Sequence, residues 1–160
     1  MTSLISLYRR FAAACTYLQT PLLLAVRLYW GFQFAQNGWG KMHNIGKITE
    51  FFTSLNIPAA ALNAHFIAGL EFFGGILLIL GVATRFISFL MVCNMLVAYW
   101  TADHDALLAI FKDPDTFMKA APFTFLCASL VLLAFGPGRI SIDYLLDRWF
   151  ANKHRAHASV

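Results

Sequence analysis

Apolar positions along this chain collect into four long runs separated by short polar breaks, the pattern of helices that cross a bilayer. The first run, about 21–39, opens at Pro21, whose missing N–H costs nothing at a first helical position. The second covers about 58–81, and a very short turn leads from Gly81 into the third, about 85–101. The fourth, about 116–136, follows "DPDTF", where Asp113 or Asp115 can cap a helix and Pro114 can sit in its first turn; it stops at "FGPGR".

Shorter amphipathic stretches flank these runs. Leu4, Leu7, Tyr8, Phe11, Cys15 and Leu18 recur at helical spacing, which predicts a helix lying on the membrane face over about 3–18. Ile45, Ile48, Phe51, Phe52 and Leu55 predict a second surface helix over about 45–55. Ile142, Leu145, Leu146, Trp149 and Phe150 predict a third over about 141–151, with Ser141 available as its cap. Trp39, Tyr99, Trp100 and Trp149 fall near predicted span ends, where aromatic belts form. The expectation is an all-α, polytopic membrane protein: one domain, a four-transmembrane-helix bundle with flanking amphipathic surface helices.

Composition strengthens that reading, because the chain is 59% hydrophobic and 12% charged, against about 25% charged in ordinary globular proteins. A soluble domain with a large buried core is the weaker alternative. An even number of spans puts both termini and the turn at Arg85 on one side. That side holds Arg9, Arg10, Arg85, Arg139, Arg148, Lys153 and Arg155, whereas Lys41, Lys47, Lys112 and Lys119 lie on the other. The positive-inside rule then gives N-in/C-in. The formal charge of +4 reads as orientation and contact with anionic lipid, and no nucleic-acid motif competes with it.

Cys15, Cys93 and Cys127 are far apart, with no CxxC, no CxxCH and no Cys/His cluster of zinc spacing. Cys93 and Cys127 lie inside apolar runs and read as small packing residues. At the amino end, only Phe11 and three alanines separate Arg10 from Cys15, too short for a signal-peptide core of about 7 to 15 residues, so no cleavage is expected.

Two charges fall within the spans, Arg27 in the first and Glu71 in "IAGLEFFGGILLILG". A charge at mid-bilayer costs roughly 2.5 to 3.5 kcal/mol on insertion scales, so a partner is expected. The two spans are antiparallel neighbours, and counting residues from their ends places the charges about 6 Å apart along the axis, within an arginine's reach. Ala64, Ala68, Glu71 and Gly75 share one helical face, and Arg27, Gly31 and Gly38 another, which suits close packing in lipid. Asn94 and Ala98 on the third span, and Thr124 and Ala128 on the fourth, complete a polar bundle centre. An Arg27–Glu71 pair either locks the bundle or holds a polar ligand, a quinone head group or a proton. With a quinone, Arg27 and Glu71 would contact the head group, and Tyr29, Trp30 or Phe72 would pack near the ring.

The first-span arginine followed by "GWGK" (Gly38 to Lys41), "NIPAA" before the second span, "GLEFFGGILLILGVATR" (Gly69 to Arg85) and "GPGRISID" (Gly136 to Asp143) together resemble the DoxX family of small four-span membrane proteins. The resemblance covers about residues 21–147. It implies a four-helix membrane fold and association with quinone-linked oxidoreductases, since the family takes its name from a subunit associated with thiosulfate:quinone oxidoreductase and quinol oxidase. The residues add no redox centre of their own. His43, His65 and His104 lie near span ends and His154 and His157 in the tail, so no facing pair for a haem is visible, and no zinc or flavin motif appears. The chain therefore reads as a non-autonomous subunit that binds quinone for a redox partner protein, in a homo- or hetero-oligomer. The alternative is a non-catalytic membrane scaffold or a small-solute or proton carrier.

Two weaker constellations remain. Asp103, His104 and Asp105, with His43 on the same side, offer oxygen and nitrogen ligands to a divalent metal, although adjacent positions converge on one ion only where the backbone turns sharply. "GPGR" lacks the strand and the GxxxxGK[ST] spacing of a phosphate loop. Its expected role is architectural: Gly136 and Gly138 free the backbone, Pro137 stops the helix, Arg139 reaches the head groups, and Asp143 enters the next helix's first turn. A salt link from Arg139 or Arg85 to Asp143 would tie that end together.

Overall fold

In the computed structural model, which describes residues 2–157 and the side chains of residues 4–153, the apolar runs become helices. Among the described residues there is no strand. Helix α1 (Thr2–His43) is followed by α2 (Ile45–Ser54), α3 (Ala60–Leu80), α4 (Thr84–Thr101), α5 (His104–Leu108), α6 (Pro114–Lys119), α7 (Pro122–Phe135) and α8 (Ile142–His157), with one 3₁₀ turn at Ala109–Phe111. The side chains of Arg155, His154 and His157 lie outside the described residues.

Among the described residues three helices, α1, α3 and α4, are long and apolar enough to cross a membrane. Phe32, Phe73, Phe89, Trp100 and Leu130 project outward from the bundle, which is where lipid chains replace the contacts that a soluble core would supply. A helical membrane protein in contact with the bilayer follows. The core between the helices is formed by Leu23, Phe34, Leu78, Ile87, Met91, Met95 and Leu132.

The expected surface helix over 3–18 and the first span are one helix. At 42 residues, α1 is about 63 Å long, roughly twice the hydrocarbon thickness of about 30 Å. Pro21 lies inside it rather than at its start. The helix tolerates this because the bond lost is the one to the carbonyl of Tyr17, a residue on the exposed surface.

The fourth span is also different from expectation, since 116–136 is not one helix. Asp113 is at the N-cap position of α6 and Pro114 at its start. The chain opens at Ala120, with ψ 142°, and α7 restarts at Pro122. Pro122 has no N–H to continue the ladder. Even so, α6 and α7 together match α4 from end to end: Tyr99 Oη donates to the carbonyl of Phe117 at 2.8 Å, and Arg85 Nη2 to that of Ala134 at 3.4 Å. Thr124 faces outward, whereas Ala128 and Ser129 are buried. Cys93 and Cys127 are exposed rather than packed in the core.

Helices α1 and α3 pack backbone to backbone. A Cβ on Gly38 would strike the backbone of Phe72 and Ala68, and one on Gly75 would strike Ala35 and Gly31. This contact fixes the register of the two charged helices. At the α3–α4 turn, Gly81 takes φ 71° and its N–H bonds the carbonyls of Leu77 and Leu78, while Val82 N–H bonds Leu77. Such a left-handed C-terminal residue is where glycine fits best. This turn marks the Arg85 end of the bundle, and the opposite end is the Lys41 end.

Candidate functional site

The expected Arg27–Glu71 pair does not form. Arg27 is 2% exposed, yet all its guanidinium nitrogens point to the Arg85 end. Nε donates to Leu78 O at 2.8 Å, Nη2 to Ile79 O at 2.8 Å, and Nη1 to Pro137 O and Ile140 O, each at 2.7 Å. The last turn of α3 has free carbonyls that a planar, forked cation satisfies. Glu71 is seven residues earlier on α3, about 10 Å along the axis, so the helix register sets it beyond Arg27.

The same end explains "GPGRISID". Asp143, in the first turn of α8, accepts from Ala83 N–H at 2.7 Å and Thr84 N–H at 2.9 Å, which caps α4 from another helix. Its own N–H donates to Gly81 O at 2.9 Å. Ser141 Oγ accepts from Tyr144 N–H at 3.1 Å and so caps α8. The suggested salt links to Asp143 are absent: Arg85 reaches Ala134 instead, and Arg139 makes no hydrogen bond or ion pair among the described residues. Gly136 and Gly138 both take φ 77° around Pro137. Arg27 and Asp143 thus tie α1, α3, α4 and the α7–α8 turn into one knot.

Glu71, also 2% exposed, finds its partner at the Lys41 end. Lys41 Nζ lies 2.6 Å from both carboxylate oxygens, and Asn94 Nδ2 donates to Oε1 at 3.0 Å. Lys41 belongs to this cluster because α1 runs on to His43 instead of stopping near Trp39. The signal was in the sequence: Arg27, Gly31, Phe34, Gly38 and Lys41 follow one another at spacings of three and four, so they share one face of the helix.

Beside this cluster is a cavity of about 230 Å³. Lys41, Glu71, Asn94, Asn37 and Asp103 supply polar groups, and Phe34, Phe51, Phe52, Met95 and Phe125 supply apolar walls. Helix α2 covers it through Ile48, Phe51 and Phe52. Lys41 is half-buried, its side chain 30% exposed against 3% for Glu71, and an ammonium carries three donors. The cluster can therefore neutralise a buried carboxylate and still offer an N–H to a ligand oxygen.

Arg27, Tyr29 and Trp30 do not line this cavity. Tyr29 is exposed and meets the edge of Trp30, which packs on Phe125. Asp103 reaches the cavity rim, the His104 ring lies against Trp100, and Asp105 is in the first turn of α5. The His43 ring lies tilted against Trp39. Among the described residues, no three of His, Cys, Asp or Glu are grouped as metal ligands.

A helical membrane protein with an ion-paired, amide-supported carboxylate beside an aromatic cavity is the class defined by this fold. The comparisons with known proteins place it further. The DoxX family matches residues 22–104, and the chain belongs to that family. It is 27% identical over 135 residues to an uncharacterized protein of Haemophilus influenzae, covering 82% of this chain and 87% of that one. No solved structure matches the chain.

Proposed function

We propose that this DoxX-family chain is a non-autonomous subunit of a quinone-linked oxidoreductase system, holding a quinone head group beside Lys41, Glu71 and Asn94. The observation that carries this reading is the polar cluster opening into an aromatic cavity of about 230 Å³. That volume exceeds the roughly 150 Å³ that accommodates one benzene ring and falls below the roughly 300 Å³ where sites for larger ligands begin. A single ring fits. Lys41 Nζ and Asn94 Nδ2 would donate to ring carbonyl oxygens, and Phe34 and Phe125 would pack on the ring faces. The quinone supplies the redox couple, and a partner protein supplies or takes the electrons. The chain's own residues bind, orient and exclude water.

The test is a photoreactive quinone analogue added to the protein in lipid nanodiscs. Labelling should map to α1, α2 and α4 around Lys41 and Asn94 and should fall in Lys41→Met and Asn94→Leu. Labels elsewhere, or unchanged in both variants, overturn the reading. A second reading, a scaffold or proton carrier, draws on the complete pairing of Glu71 with Lys41. A Glu71→Gln protein that loses stability but not redox phenotype favours the scaffold.

The same proposal places the chain in the bacterial inner membrane with both termini in the cytoplasm, from the positive charges grouped at the Arg85 end. Reporter fusions at the two termini test this, and a periplasmic reading from either one refutes it. It leaves the redox partner in a homo- or hetero-oligomer to be found by gentle co-purification.

A further inference from the structure

We propose that Arg139, with the hydroxyls of Tyr17 and Thr20, binds the phosphate of an anionic phospholipid at the Arg85 end. Gly138 packs on α1, its Cβ position 3.4 Å from Leu23 Cβ and 3.7 Å from Thr20 O. Arg139 is thereby held beside the turn of α1 that precedes Pro21. Ala13, Thr16, Tyr17, Thr20 and Arg139 line a half-open groove of about 230 Å³.

Its chemistry is that of an anion site. Among the described residues no carboxylate lines it, and the Arg139 guanidinium and the Tyr17 and Thr20 hydroxyls make no hydrogen bond or ion pair, whereas Thr16 donates to Ala12 O at 3.0 Å. A guanidinium fork matches two phosphate oxygens, and the hydroxyls can donate to the others.

The depth fits a lipid. Thr20 is seven residues, about 10 Å, beyond Arg27, whose carbonyl partners close α3 and the α7–α8 turn. The groove therefore lies just outside the helix ends, where head groups begin. Arg9, Arg10, Arg85 and Arg148 at the same end add to the attraction for anionic lipid.

The experiment uses the full chain purified in neutral detergent, with native mass spectrometry and thermal unfolding read against three additives: phosphatidylglycerol, phosphatidylcholine and inorganic phosphate. Phosphatidylglycerol should bind and raise the unfolding temperature more than phosphatidylcholine, and Arg139→Gln should weaken that binding roughly tenfold or more. Tyr17→Phe, which removes one hydroxyl, should weaken it less and keeps the test alive if the arginine variant unfolds. Arg148→Gln, which changes the charge equally on α8, should leave binding near wild type. Stabilisation by inorganic phosphate alone, lost in Arg139→Gln, would show the same site serving soluble phosphate and overturn the lipid assignment. Equal binding of the two lipids, or wild-type binding by both Arg139→Gln and Tyr17→Phe, would overturn the site itself.

Discussion

Replacing Arg27 with alanine removes four hydrogen bonds of 2.7 to 2.8 Å from a buried position. Leu78 O keeps a second donor, Gly81 N–H at 3.1 Å. The carbonyls of Ile79, Pro137 and Ile140 have Arg27 as their donor. An orphaned polar group costs about 1 to 3 kcal/mol when buried; these three bonds are part-buried, so about 1 kcal/mol each, roughly 3 kcal/mol in total, is expected. For a chain of this size each kcal/mol moves the midpoint by about 2 to 4 °C, and Arg27→Ala should unfold about 10 °C earlier. Arg27→Lys should recover only part, because a compact ammonium cannot fork over four carbonyls. The assay is thermal unfolding in detergent, followed by tryptophan fluorescence, for Arg27→Ala, Glu71→Gln and the pair combined. Because the two residues touch different partners, their effects should add within about 0.5 kcal/mol. A midpoint within 2 °C of wild type for Arg27→Ala, or strong coupling to Glu71, would refute the reasoning.

Lys41→Ala leaves the Glu71 carboxylate with Asn94 alone; breaking a fully buried pair costs about 3 to 5 kcal/mol, and with Lys41 30% exposed the loss should lie at or below the low end; adding Glu71→Gln should restore much of it, read as a favourable coupling in a double-mutant cycle. Gly38→Ala should destabilise by about 1 to 3 kcal/mol or more as its Cβ meets the Phe72 backbone, whereas Gly40→Ala, with open space around it, should be neutral or mildly stabilising in the same unfolding assay. Asp143→Ala uncaps α4 and should cost about 0.5 to 2 kcal/mol, with faster hydrogen exchange at the Ala83 and Thr84 amides. The Thr116 hydroxyl, 2.6 Å from the Asp113 carboxylate, holds that acid below its usual range against an opposing effect of desolvation, with backbone N–H groups of Thr116 and Asp115 adding to the lowering. A depressed acid stabilises above its unfolded pKa and loses that contribution as pH falls through the folded value. Protection from exchange at the start of α6, relative to the intrinsic rate at each pH, should therefore fall at acidic pH, and Thr116→Val should shift that fall to higher pH.

Much of the chain's architecture was legible in its periodicity, because helix formation and the choice between a lipid-facing and a buried face depend on spacings of three and four along one segment. The inward stripes of α1 and α3, the cap at Ser141 and the stop at "GPGR" are of this local kind. So are the apolar residues that face lipid. Pro21 and Pro122 mark where local rules compete: the exposed surface of α1 absorbs one proline, while the other resets a helix.

Which partner each buried charge takes was decided by the tertiary structure. Arg27 had a carboxylate on the facing helix in one direction and a cluster of carbonyls in the other, and residue counting from uncertain ends could not rank them. The close contact of Gly31, Gly38 and Gly75 set the register. That register brought Arg27 level with the end of α3 and Lys41 level with Glu71. The carbonyls Arg27 binds come from turns about 50 and 110 residues away in the chain, and nothing in a local pattern records them. Sequence alone determined that this chain makes helices for a membrane and buries two charges; the three-dimensional packing assigned one charge to hold the bundle closed and the other to line a cavity.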